Sequence, residues 1–272
     1  METYSKNVCE LKYEFVNAYK GNSHTTEILP NVPAESFLIN EKQLSLLHEF
    51  LNVNPIYSNH IVEKISGVDY TIFEGDLNNY WIDSIKHDAS YAPFYPTWML
   101  SAFYLALEAQ NLGFTQIVDI GSGDGRIAYC GKVLGMNSVS IEIDSNLTSL
   151  QDEISKKTNI QFNPICHDAI TYDFEALSDK KSIFVIGGVP EIGEVLAESV
   201  ISAVLKLLPL KNSAFVLTGS HSHRKFSRDP SNFGWGTSIK KFGLEVISSI
   251  SLPTYWTMDQ EFETPYVFTK KG

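Results

Sequence analysis

One stretch, Val118-Asp119-Ile120-Gly121-Ser122-Gly123-Asp124-Gly125-Arg126, limits what this chain can fold into more than any other. The apolar run Gln116-Ile117-Val118-Asp119-Ile120 leads into it, and a helical pattern over 126–134 leads out. A strand that passes through a glycine loop into a helix is the opening unit of an α/β sheet. The same alternation continues downstream. Strands are predicted over 138–143, 160–166, 182–186 and 214–218, and helices over 97–111, 147–157 and 192–208. Such alternation implies a parallel sheet with helices on both faces. The continuously apolar 182–186 segment suits its middle. Two late strands, 244–252 and 266–269, have no clear helix between them and predict a terminal hairpin and an antiparallel edge.

Before residue 90 the pattern is irregular and reads as mostly helical. Leu44, Leu47, His48 and Leu51 share one face over 41–51, with Asn40 as N-cap and Pro55 beyond the end. Leu77, Tyr80, Trp81 and Ile85 form a second stripe over 76–86. The expectation is an α/β protein in two parts. A helical N-terminal extension or cap covers 1–90, and a doubly wound, mostly parallel seven-stranded sheet covers 91–272.

Charge narrows the partners. Asp and Glu number 32 against 21 Lys and Arg, a formal charge of −11. Nucleic-acid binders draw affinity from Lys and Arg on phosphates. The densest basic stretch here, 221–228, offers only Arg224, Lys225 and Arg228. A nucleic-acid acceptor is therefore disfavoured against a basic protein or a small molecule. With 43% hydrophobic residues the chain is not a disordered one. Cys9, Cys130 and Cys166 form no CxxC pair and read as buried thiols in a reducing cytoplasm. The polar start, Met1-Glu2-Thr3-Tyr4-Ser5-Lys6, shows no secretory signal. No charge occurs between Asp88 and Glu108, but Pro93 and Pro96 break that run. Its helical remainder is about half the ~20 residues that cross a bilayer. No membrane span is expected.

What lies on the loop follows from its charges. A dinucleotide site has the pattern G-x-G-x-x-G and cradles a pyrophosphate. Here the spacing is G-x-G-x-G, with Asp119 and Asp124 close enough to repel that anion. A cofactor carrying an amino group and a sulfonium is attracted by the same carboxylates, so Gly121, Ser122, Gly123 and Gly125 favour S-adenosylmethionine over NAD. Glu142, ahead of Ile143 at the next strand end, either accepts both ribose hydroxyls or is a surface acid. Asp168 follows the third strand. It either accepts from the adenine amino group, beside the backbone N–H of Ala169, or is a turn and N-cap residue.

Together these residues resemble the class I, seven-β-strand S-adenosylmethionine-dependent methyltransferases, over 91–272 and most strongly over 117–144. Pro93-Phe94-Tyr95-Pro96-Thr97 ahead of the Asp119–Arg126 loop is similar to the protein-lysine methyltransferases of ATP synthase c-subunit and adenine nucleotide translocase and their prokaryotic relatives. The resemblance implies that Asp119, Gly121, Gly123 and Glu142 contact the cofactor, that Asp168 contacts its adenine, and that 93–97 line the entrance. Ile186-Gly187-Gly188-Val189-Pro190 departs from the [ND]-P-P-[YF] motif of enzymes that methylate nucleobase or glutamine amino groups. The acceptor implied is a protein lysine, with a small molecule or RNA as alternatives. An NAD(P)-dependent oxidoreductase and a non-catalytic interaction module are the rival readings. A lysine must lose its proton before it attacks. Glu191 and His221, after the fourth and fifth strands, are candidate bases, and Tyr95 is a candidate for orienting the nucleophile. His221 and His223 have no evident third ligand, so no metal is expected.

Overall fold

The computed structural model of the 272-residue chain describes residues 2–80, 94–187, 190–207, 209, 212–218, 235–253 and 263–272. Seven strands form one sheet in the order β6-β5-β4-β7-β8-β10-β9. They are β4 (Gln116–Ile120), β5 (Asn137–Glu142), β6 (Pro164–Cys166), β7 (Ser182–Ile186), β8 (Ser213–Thr218), β9 (Leu244–Pro253) and β10 (Glu263–Lys271). Strands β4 to β8 are parallel, and β10 lies antiparallel between β8 and β9. The doubly wound sheet and its antiparallel terminal hairpin are as the sequence predicts. β4 is flanked by β5 on one side and β7 on the other, so the chain changes direction across the sheet there. This switch point is where open α/β sheets bind ligands.

Adjacent residues of a strand point to opposite faces, and the core divides accordingly. Ile117, Ile183, Val185 and Val216 belong to one buried cluster. Val118, Ile120, Phe184 and Phe215 belong to the other. Against the first face pack α3 (Met99–Asn111), α4 (Arg126–Val133) and α5 (Ser145–Thr158), through residues such as Phe103, Tyr129 and Ile154. Against the second pack α6 (Pro190–Leu207) and α7 (Trp235–Phe242), through Val200, Trp235 and Ile239. Met99 to Ala106 of α3 are all buried, which accounts for its uncharged sequence. Among the described residues no helix is long and apolar enough to cross a membrane.

The N-terminal part differs from the helical extension expected. Besides α1 (Glu2–Ala18) and α2 (Glu41–Val53) it holds a three-stranded antiparallel sheet, β1-β3-β2, made of β1 (Thr25–Pro30), β2 (Tyr57–Ile65) and β3 (Val68–Gly75). Asn40 caps α2 reciprocally. Its side chain accepts from the N–H of Gln43, and its own N–H donates to Gln43 Oε1. The apolar residues of this part, among them Phe15, Ile28, Leu47 and Phe50, run without a break into the cluster under α3 and α4. The 76–86 stripe is described only to Tyr80; the rest lies outside the described residues. Of the three thiols only Cys130 is buried. Cys9 is half-buried and Cys166 exposed, because β6 is short and ends at the sheet edge.

Candidate functional site

The glycine loop joins β4 to α4 beyond the carboxyl end of β4. Gly121, Gly123 and Gly125 have φ of +64°, +57° and +77°. In this left-handed region an L side chain is strained. Packing adds a second demand at two of them. A Cβ on Gly123 would stand 2.2 Å from Phe94 Cε2, and one on Gly125 would stand 2.5 Å from Phe162 Cε2. At Gly121 a Cβ would meet only Leu196 Cδ2, at 3.8 Å. The Phe94 ring, from the Pro93–Thr97 segment, therefore seats directly on the second glycine.

Glu142, at the end of β5, fastens the loop. Its Oε2 accepts from the N–H of Gly123 at 2.8 Å, and its Oε1 accepts from the N–H of Asp144 at 3.0 Å. It is buried rather than a surface acid. Gln151 on α5 holds the same loop from below. Its amide donates to Gly123 O at 2.6 Å and to Ser122 Oγ at 3.0 Å, and accepts from Ser140 Oγ at 2.7 Å. Sequence reasoning passed over Gln151. The signal was its place on the buried stripe of α5 with Leu147, Leu150 and Ile154.

Asp119 is 2% exposed. It accepts from the N–H of Ala128, in the first turn of α4, while its Oδ2 has no hydrogen-bond partner among the described residues. Burial pushes its carboxyl well above the usual carboxylate range. Asp124 and Glu142, both negative, push the same way, and the Ala128 N–H opposes them. Asp124 behaves differently from the expectation that it repels an anion. It accepts from Arg126 Nε at 2.9 Å and Nη2 at 2.6 Å, and from Asn54 Nδ2 at 3.0 Å. Its charge is answered within the protein, so it does not define the ligand. The uncompensated charge of the loop belongs to Asp119.

The residues expected on the adenine side follow β5 and β6. The N–H of His167 donates to Glu142 O at 2.8 Å, which brings 167–169 beside the ribose candidate. Ile143 is 36% exposed at that strand end, and Ala169 is buried. Asp168 is half-buried, and its Oδ1 accepts from the N–H of Ile170 at 2.9 Å in a local turn. Its other carboxylate oxygen takes no part in that bond. Of the proposed catalytic residues, Tyr95 is half-buried next to Phe94. Glu191 lies in the first turn of α6, and its side chain and all of His221 lie outside the described residues.

The site thus combines a switch-point loop, three buried carboxylates, Asp119, Asp124 and Glu142, and a helix N-terminus already engaged by Asp119. A pyrophosphate needs free loop and helix amides. Here the N–H of Gly123 goes to Glu142 and that of Ala128 to Asp119. The chemistry fits a cationic ligand.

No protein-family model matches the sequence, and no curated protein matches it at significance. Solved structures similar in fold include three methyltransferases. The ribosomal protein L11 methylase from Lactobacillus delbrueckii subsp. bulgaricus is 12% identical, covers 64% of this chain and 79% of its own, and has a TM-score of 0.44. The glycopeptide N-methyltransferase MtfA, complexed with S-adenosyl-L-methionine, is 9% identical over 63% of this chain and 94% of its own, with a TM-score of 0.44. Magnesium protoporphyrin IX methyltransferase from Synechocystis PCC 6803, with bound SAH, is 11% identical over 64% and 81%, with a TM-score of 0.45.

Proposed function

We propose that this chain is an S-adenosylmethionine-dependent methyltransferase whose acceptor is a protein lysine. The observation that carries the cofactor is Asp119. It is a buried carboxylate at a glycine loop, with one oxygen unsatisfied among the described residues and only negative charges acting on it. A buried charge of this kind calls for a cation, and the donor brings an ammonium and a sulfonium. Asp119 and the loop at Gly121, Ser122, Gly123 and Gly125 would hold the amino-acid end. Glu142 would accept from the ribose hydroxyls, and Ile143, Asp168 and Ala169 would receive the adenine.

When bound, the cofactor supplies a methyl group already activated for displacement. The chain's share is positioning and control of the acceptor's proton. Glu191, His221 and Tyr95 are the residues proposed for that share, Glu191 and His221 as bases and Tyr95 as the group that orients the amine. The net charge of −11 favours a cationic acceptor, which supports lysine over RNA. Incubation of a native extract with the protein and deuterated cofactor, followed by mass spectrometry, tests both parts. A trideuteromethyl group on a lysine is the expected product. Label on RNA or a small molecule replaces the acceptor, and no label in any extract removes the activity.

A further inference from the structure

Glu27 belongs to β1, far from the glycine loop in sequence, and is buried beside it. Its Oε2 accepts from the N–H of Met99 at 2.9 Å, and its Oε1 accepts from Arg126 Nη1. Trp98, the N-cap of α3, makes no side-chain capping bond, so Glu27 caps that helix from another sheet. Arg126 is 2% exposed, and each of its three nitrogens is bonded. Nη1 also donates to Thr97 O at 2.5 Å, Nη2 to Tyr57 Oη at 3.1 Å, and Nε and Nη2 to Asp124. Asn54 Nδ2 donates to Asp124 Oδ2, the oxygen that also accepts from Arg126 Nη2. Gly125 is thereby flanked by two residues, Asp124 and Arg126, that are tied to the N-terminal sheet, the turn after α2 and the start of α3. Glu142 and Gln151 tie down the other half of the loop.

We propose that Glu27 is a positioning residue for the cofactor. Acting through Arg126, it holds the glycine loop in its receptive shape, and this makes the N-terminal sheet part of the cofactor site. The proposal rests on the methyl-donor reading of the loop. Burial disfavours the Arg126 cation, but Asp124, Tyr57 and Glu27 outweigh it and hold its pKa above the ordinary value. Without Glu27 the guanidinium loses one of its two carboxylates, and the loop samples other shapes. Apparent affinity then falls by the fraction of time spent in them.

The test is titration calorimetry of the full chain with S-adenosylhomocysteine, paired with amide hydrogen exchange at Gly123 and Gly125 without ligand. Glu27→Gln keeps the side-chain shape and removes the charge. It is expected to weaken binding at least tenfold and to speed exchange at both glycines at least tenfold. Glu27→Asp, which restores the charge, recovers part of both. Leu47→Ala, a cavity in the buried face of α2, lowers the melting temperature but leaves the dissociation constant within twofold and the two amides unchanged. If Glu27→Gln does not fold, Tyr57→Phe removes the hydroxyl that accepts from Arg126 Nη2 and donates to Glu27 Oε1 at 3.5 Å, and a loss of threefold or more is expected. Unchanged binding and exchange in folded Glu27→Gln or Tyr57→Phe overturns the proposal, as does an equal loss in Leu47→Ala. If the unmodified protein binds no homocysteine adduct, the methyl-donor reading fails, and faster glycine exchange in Glu27→Gln still separates that failure from loss of the strut.

Discussion

Replacing Glu142 separates its two jobs. In the ligand-free protein its carboxylate accepts from two buried amides, those of Gly123 and Asp144, at 2.8 and 3.0 Å. A buried donor left unsatisfied costs about 1–3 kcal/mol. Glu142→Ala orphans both, so the expected loss of stability is about 2–6 kcal/mol. Glu142→Gln keeps one acceptor and turns its amide NH2, a donor, onto the other N–H, so about half of that is expected. Both variants lose the charged acceptor proposed for the ribose, and each should weaken S-adenosylhomocysteine by about 1–3 kcal/mol, roughly 5- to 150-fold. Urea unfolding measures the first quantity and calorimetry the second. Stability that orders as unmodified, Gln, Ala, together with weaker binding in both variants, supports the account. Glu142→Ala with stability within about 0.5 kcal/mol of the unmodified protein and unchanged affinity refutes the reasoning, since neither the loop nor the ligand then depends on the carboxylate.

Asp119→Asn tests the buried charge through pH. Burial raises the folded pKa of Asp119 above its unfolded value, so the folded state holds the proton more tightly. Ionisation then penalises folding increasingly as pH rises from the unfolded pKa through the folded one. The stability of the Asn variant relative to the unmodified protein should therefore improve between pH 5 and pH 8 in urea titrations, while its affinity for S-adenosylhomocysteine falls. A relative stability that is flat or falls with pH contradicts this. Gly123→Ala combines about 1–2 kcal/mol of left-handed strain with displacement of Phe94, whose Cε2 the added Cβ would otherwise approach to 2.2 Å. It should lower both melting temperature and affinity, and a variant as stable as the parent would show that the ring moves freely. Asn40→Ala removes the α2 cap at a cost of about 1 kcal/mol. It should shift the melting temperature by about 2–4 °C without changing cofactor binding; a change in binding would link α2's start to the site.

The large sheet was legible because its strands are short, apolar and sharply bounded. Gln116–Ile120 and Ser182–Ile186 stand where the pattern put them. The N-terminal sheet was not legible, for physical reasons that differ by strand. β1 is buried along its whole length, so it shows no alternation, and it carries a charged Glu27 that reads as surface. β2 is irregular near Tyr57–Asn59, where its register shifts against β3. Its tight turn did leave a signal. Ser66-Gly67, with φ of +49° and +86°, is a two-residue hairpin connection between apolar Ile65 and Val68. The loop and Glu142 could be found because they follow one another along the chain. The Glu27–Arg126–Asp124 network could not, because its members lie on separate elements and neither β1 nor α4 marks its partner. Asp124 shows the consequence. Read alone it repels anions, and in the fold it is satisfied by Arg126 and Asn54.

The most direct measurement is calorimetry of the unmodified chain with S-adenosylhomocysteine and, separately, with NAD. Saturable one-to-one binding of the homocysteine adduct, with no heat from NAD, is the result predicted by a loop whose free buried charge is negative. NAD binding with no response to the adduct would contradict it.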